Sequence, residues 1–87
     1  MRIEDIQRIV MICHGKDCKK AGARKLRDCA RERLRDHGLR KNTLIARTHC
    51  NGLCKQAPVV CLQPANVWLS QTSPRQLQRA IDDHLAR

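Results

Sequence analysis

The chain contains no phenylalanine and no tyrosine, and Trp68 is its single aromatic residue. Any core must therefore be aliphatic, and almost no aromatic surface is offered for stacking nucleic-acid bases, which argues against a nucleic-acid partner. No apolar run approaches the roughly 20 residues that a membrane-crossing helix needs, so no membrane span is expected. Met1 to Val10 interrupts its apolar positions with Glu4, Asp5 and Arg8. That stretch has neither a continuous apolar segment nor a small-residue cleavage site, so it does not read as a signal peptide. A cytoplasmic setting is expected by default, where thiols stay reduced or bind metal. Acid is scarce too: 8 Asp and Glu stand against 18 Lys and Arg, for a formal net charge of +10. This excess predicts attraction to something acidic, but charge alone does not choose among a protein face, nucleic acid and an anionic membrane.

What is present is consistent with one compact domain. The 87 residues are expected to form a single unit, 1–87. An apolar fraction of 41% suffices for a core, and 30% charged residues fits a folded protein better than a disordered one. Burial is limited in so short a chain, so a bound metal centre would add useful stability. Six cysteines are many for this length. A disulfide framework would need a secretory context, which the N-terminus does not supply.

The chain alternates strand and helix signals. Arg8 to Cys13 (Arg-Ile-Val-Met-Ile-Cys) reads as a buried strand, followed by a loop at His14–Asp17 with Asp17 as a candidate N-cap. From Cys18 to about His37, Leu26, Cys29, Ala30, Leu34 and His37 recur at helical spacing, and Gly38 stands where a helix-ending glycine belongs. Asn42 to Thr48 is a second strand, leading directly to Cys50. Val59 to Gln63 is a third, its nearly continuous apolar run pointing to burial on both faces. Pro64-Ala65-Asn66 is a turn, and Val67 to Ser70 a short fourth strand. Ser73-Pro74-Arg75-Gln76 has capping-box spacing with proline at the first helical position. Leu77, Ala80, Ile81, His84 and Leu85 then make an apolar face. The predicted class is α/β, with a small mixed sheet in β-α-β-β-β-α order and two helices, a thioredoxin-like arrangement.

Four cysteines form two pairs, Cys13-x4-Cys18 and Cys50-x3-Cys54, each in a loop directly after a predicted strand. If those strands are parallel neighbours, both loops emerge at one sheet edge and four thiolates converge. Gly15 and Gly52 allow close backbone approach. His14, Lys16, Lys19, Lys20, His49 and Lys55 surround the pairs with positive charge suited to an anionic metal–thiolate centre. Spacing alone leaves two metals open, since Zn²⁺ also takes four thiolates. A zinc-stabilised module, using its basic surface on an acidic protein or nucleic acid, is thus the alternative. A thiol–disulfide oxidoreductase is disfavoured because no Cys-x-x-Cys occurs anywhere in the chain.

Cys13-x4-Cys18 with Gly22 after it, Thr48-His49-Cys50-Asn51-Gly52-Leu53-Cys54 before Ala57-Pro58-Val59, and Gln63-Pro64-Ala65-Asn66-Val67-Trp68 together resemble the thioredoxin-like [2Fe–2S] ferredoxins. The same module occurs in the small cluster-bearing subunit of respiratory NADH dehydrogenase. The resemblance spans roughly residues 8–85. It implies a [2Fe–2S] cluster on Cys13, Cys18, Cys50 and Cys54, one-electron transfer to a redox partner, no enzymatic activity of the chain's own, and often a homodimer. Two features depart from the family pattern. Family electron carriers tend to be acidic, whereas this chain is basic and calls for an acidic partner. The Ala65-Asn66 turn also lacks the expected glycine.

The remaining residues read as structural. Cys29 and Cys61 are expected as core packing, and His37 and His84 as structural histidines. His14 and His49 adjoin ligands and are candidates for tuning the site by hydrogen bonding. The stretch Lys19–Lys41 holds ten basic residues against Asp28, Glu32 and Asp36. It reads either as a solvated helix face laced with weak ion pairs or as a docking surface through Arg27, Arg31 and Arg35. Pro58, just before a strand, is a candidate cis-proline.

Overall fold

The computed structural model describes residues 2–49 and 56–86, with Asp17 and Lys19 described by backbone alone. The elements are β1 (Arg8–Cys13), α1 (Lys16–Lys20), α2 (Ala23–Asp36), β2 (Thr43–Thr48), β3 (Val60–Gln63), β4 (Val67–Leu69) and α3 (Pro74–His84). Single 3₁₀ turns at Ile3–Asp5 and Arg40–Asn42 precede β1 and β2. The strands form one sheet in the order β2-β1-β3-β4. β1 and β2 are parallel, while the β1–β3 and β3–β4 pairs are antiparallel. Among the described residues, no helix is long and apolar enough to cross a membrane.

The first predicted helix is broken in two. Gly22 takes φ +101°, a left-handed conformation that no helix interior accommodates, and α2 restarts at Ala23. α1 begins at Lys16, so Asp17 is its second residue and not the cap expected from the sequence. The other helix signals hold. Gly38 (φ +70°) ends α2, with the amide of Leu39 donating to the Leu34 carbonyl (2.8 Å) and that of Gly38 to Arg35 (3.0 Å). These two bonds satisfy carbonyls that the helix end would otherwise leave open. Ser73 caps α3: its hydroxyl accepts from the Gln76 amide while the Gln76 side chain accepts from the Ser73 amide.

The core is aliphatic, as the composition requires. Val10, Ile12, Val60 and Leu62 of the sheet meet Leu26, Ala30 and Leu34 of α2 and Leu77, Ala80 and Ile81 of α3 in one cluster. Fully burying one such side chain contributes about 1.5–3 kcal/mol. The opposite sheet face, set by strand alternation, carries Ile9, Met11, Leu44, Ala46, Cys61 and Trp68. Met11 pairs with Ala46 on one side and Cys61 on the other, and Cys61 with Trp68, so these four lie in one row across the sheet. Leu44 is 37% and Trp68 54% exposed.

Several side chains depart from the expected core face. Cys61 is buried, but under that second face, outside the main cluster. Cys29 is half-buried, and its thiol donates to the Pro74 carbonyl at 3.6 Å, joining α2 to the start of α3. Burial pushes the Cys29 thiol pKa up, against a hydrogen bond from Gln78. His37 and His84 are exposed, and His37 bonds Asp82 of α3 at 2.6 Å. Asn66 supplies the left-handed residue of the β3–β4 turn (φ 56°), which accounts for the missing glycine there. The Ala57–Pro58 and Gln63–Pro64 bonds are both cis.

Candidate metal centre

Cys13 is the last residue of β1 and pairs in parallel register with Thr48, the last residue of β2. The chain is held there from two sides. The amide of His14 donates to the Thr48 carbonyl at 2.8 Å, and that of Cys13 to the Val59 carbonyl at 3.1 Å. The Cys13 thiol reaches the carbonyl of His49 at 3.4 Å. His49 precedes Cys50 in sequence, so the approach to the second cysteine pair contacts the first. Cys50 and Cys54 themselves lie outside the described residues.

Cys18 follows in α1, five residues after Cys13. Cys13 and Cys18 are 3% and 4% exposed and belong to one buried cluster. A thiolate in such surroundings is costly unless it is neutralised, and a soft metal that binds sulfur does this directly. The donor chemistry of this pair therefore fits an iron–sulfur or zinc centre, as half of a four-thiolate set. Among the described residues, no group of three or more His, Cys, Asp or Glu is placed to hold a metal ion.

His14 sits at the rim. Its Nδ1–H donates to the Ile12 carbonyl at 3.0 Å, and its Nε2 is buried with no partner among the described residues. The Thr48 hydroxyl oxygen is likewise buried with no partner among the described residues. His14, Arg47, Thr48 and His49 line an open cleft of about 280 Å³. Arg47 was not singled out from sequence. Its only signal there was its place one residue before the Thr-His-Cys stretch. Of the arginines proposed for docking, Arg31 and Arg35 are exposed as expected, whereas Arg27 is half-buried and lies 3.9 Å from Asp28.

The sheet order, with Cys13 at the end of β1 and Cys18 in α1 both buried, defines a thioredoxin-like domain with a thiol site. No family model matches the chain. A putative 2Fe-2S ferredoxin of Priestia megaterium is 32% identical over 77 residues, covering 88% of this chain and 60% of that protein. A 2Fe-2S ferredoxin of Aquifex aeolicus is 30% identical over 69 residues, covering 78% and 62%. The chain thus spans about three-fifths of the length of the curated relatives it matches. The crystal structure of the wild-type thioredoxin-like [2Fe-2S] ferredoxin from Aquifex aeolicus superposes with a TM-score of 0.77 at 26% identity. That match covers 92% of this chain and 86% of the other. The chain belongs to the thioredoxin-like [2Fe–2S] ferredoxin family.

Proposed function

We propose that this chain is a one-electron carrier that holds a [2Fe–2S] cluster on Cys13, Cys18, Cys50 and Cys54. The observation that carries the reading is the parallel pairing of β1 with β2, in which Cys13 stands opposite Thr48, two residues before Cys50. When bound, the cluster supplies a reversible one-electron couple. The chain's own residues hold the sulfurs, keep Cys13 and Cys18 from solvent and leave the rim around His14 and His49 open to a partner. No side chain is required as acid, base or nucleophile, so the chain acts as a carrier and not as an enzyme in its own right. The reduced thiols this needs fit a cytoplasmic setting.

The partner is an acidic redox protein, in keeping with the net charge of +10. Self-association uses a different surface, the second sheet face. Its positions Ile9, Met11, Leu44, Ala46, Cys61, Gln63 and Trp68 include no charge, in a chain that is 30% charged. The Trp68 indole N–H is already donated to Asn66 Oδ1 at 3.0 Å, so its ring offers apolar area alone. Like-charge repulsion in a strongly basic chain favours pairing of copies through such a neutral face.

Anaerobic purification, a visible spectrum and metal analysis test the cluster. Red-brown protein with about two iron atoms and labile sulfide per chain is expected. A colourless sample with stoichiometric zinc after reconstitution with iron and sulfide would support the zinc module instead.

A further inference from the structure

The topology sorts the acids of this chain by end: at the end away from the cysteines they offset Arg2, Arg8, Arg33, Arg35, Arg40 and Lys41, whereas the bases at the cysteine end are left in excess. β1 and β2 finish together at Cys13 and Thr48, and β4 runs the same way because β3 is antiparallel to both β1 and β4. α2 starts at this cysteine end, α3 enters from Thr72, whose amide donates to the Pro58 carbonyl before β3, and joins α2 at its middle, and both run back in parallel. Cys29 meets Pro74, Arg33 meets Asp82 one stretch further along, and the Leu85 carbonyl after α3 accepts from Arg8 at the start of β1.

Acids gather at the far end. Glu4 and Asp5 lie in the turn before β1, Asp36 ends α2, and Asp82 and Asp83 lie in the last turn of α3. These are five of the eight acids in the chain. The cysteine end is basic: Lys16 and Lys20 on α1, Arg24 and Lys25 in the first turn of α2, Arg47 near the end of β2, and Arg75 in the first turn of α3. All six are exposed, and among the described residues none is in an ion pair. Asp17 of α1 is the one acid at this end in sequence, and its side chain lies outside the described residues.

Fold stability does not explain this pattern. A helix N-terminus carries partial positive charge, and acids there are worth about 0.3–1 kcal/mol each, with bases unfavourable by a similar amount. Neither α2 nor α3 has an acid in its first turn, and both have bases there. The helix termini add to the positive field at the cysteine end instead of being offset by it. Solubility would be served equally by charge anywhere on the surface.

We propose that the cysteine end, ringed by Lys16, Lys20, Arg24, Lys25, Arg47 and Arg75, is the face on which an acidic redox protein docks, and that Arg31 and Arg35 lie outside it. This rests on the electron-carrier reading above. The field orients the incoming partner so that its acidic patch meets the end bearing Cys13 and Cys18, where electron transfer requires close approach. Along α2, by contrast, Arg31 and Arg35 alternate with Glu32 and Asp36, and their field partly cancels.

The test uses cluster-loaded protein on a gold electrode coated with a carboxylate-terminated monolayer, a chemically defined acidic surface. Two double variants, Lys20→Glu/Arg47→Glu and Arg31→Glu/Arg35→Glu, change net charge equally. The first is expected to lower the interfacial electron-transfer rate about tenfold, and the second less than about twofold. Wild-type exchange should also slow as salt rises, since charge attraction is screened over about 10 Å at 0.1 M. Equal losses in both variants would overturn the proposal by showing that net charge alone matters, and unchanged rates in both would overturn it too. Surface plasmon resonance on the same monolayer reads docking without the cluster. Tighter binding to a 20-base-pair DNA duplex than to the monolayer would overturn it in favour of a nucleic-acid surface. Failure of the carrier reading looks different: colourless protein and no faradaic current from wild type, with docking still measurable as bound mass.

Discussion

Thr48 stands directly opposite Cys13 as the last pair of the parallel β1–β2 ladder, and its carbonyl accepts the amide of His14 at 2.8 Å. A parallel pair places both chain exits at the same edge, so each exit loop can carry ligands to one centre. The same register carries Arg47 to the rim, one residue before Thr48 on an edge strand.

The six cysteines are expected to separate by function. Replacing Cys13, Cys18, Cys50 or Cys54 with serine should abolish the visible absorbance or leave it strongly unstable. Cys61→Ala should keep the spectrum and cost about 1 kcal/mol, because the lost sulfur leaves a small void under the second sheet face. Denaturant melts followed at cluster and backbone wavelengths check both. Loss of the cluster in a folded Cys61→Ala protein would show that the ligand set is misassigned.

Asp82 links α2 to α3 and gives stability a defined pH dependence. Arg33 donates to both of its oxygens, at 2.8 and 2.5 Å, and His37 bonds one of them at 2.6 Å. The Arg33 hydrogen bonds first, then that of His37, hold the Asp82 carboxyl well below the usual carboxylate range. A carboxylate whose folded pKa is depressed contributes stability that is fully present above its unfolded value, about 3.9, and is lost as pH falls below it. Asp82→Asn should therefore be less stable than wild type at pH 6, with the gap closing toward pH 2. Urea midpoints across that range measure it, and a gap independent of pH would refute the assignment.

Gly38 should resist substitution for a backbone reason alone. Its φ of +70° is left-handed, and nothing lies within 4 Å of where a Cβ would stand. Gly38→Ala is expected to cost about 1 kcal/mol, lowering the melting midpoint by about 4–8 °C in a domain of this size. The visible spectrum should not change, because the residue ends α2 away from the cysteine end.

Trp68 is the only aromatic residue, so intrinsic fluorescence reports on the second sheet face and nothing else. If two copies pair through that face, emission should shift to shorter wavelength as concentration rises, in step with a doubling of mass by sedimentation. Trp68→Glu should keep the protein monomeric with its cluster absorbance intact. A monomer at all concentrations, with constant emission, would remove the pairing.

Much of this protein is set by local chemistry and was legible from residues alone. The limits of β1, the capping box of Ser73 and Gln76, and the left-handed end at Gly38 each depend on neighbours within a few positions. The break at Gly22 is also local, but the helical spacing from Leu26 onward does not reach back to show it. Other features required the tertiary structure. Cys61 sits within an apolar run, and only pairing with Met11 and Trp68 assigns it to the second sheet face while Val60 and Leu62 enter the main core. Arg33 and Asp82 are 49 positions apart, and nothing near either one points to the other. Net charge is a sum over the chain and reads directly from it. The separation of that charge into a basic cysteine end and an acid-bearing far end depends on the direction each strand and helix runs, which is decided when the elements pack.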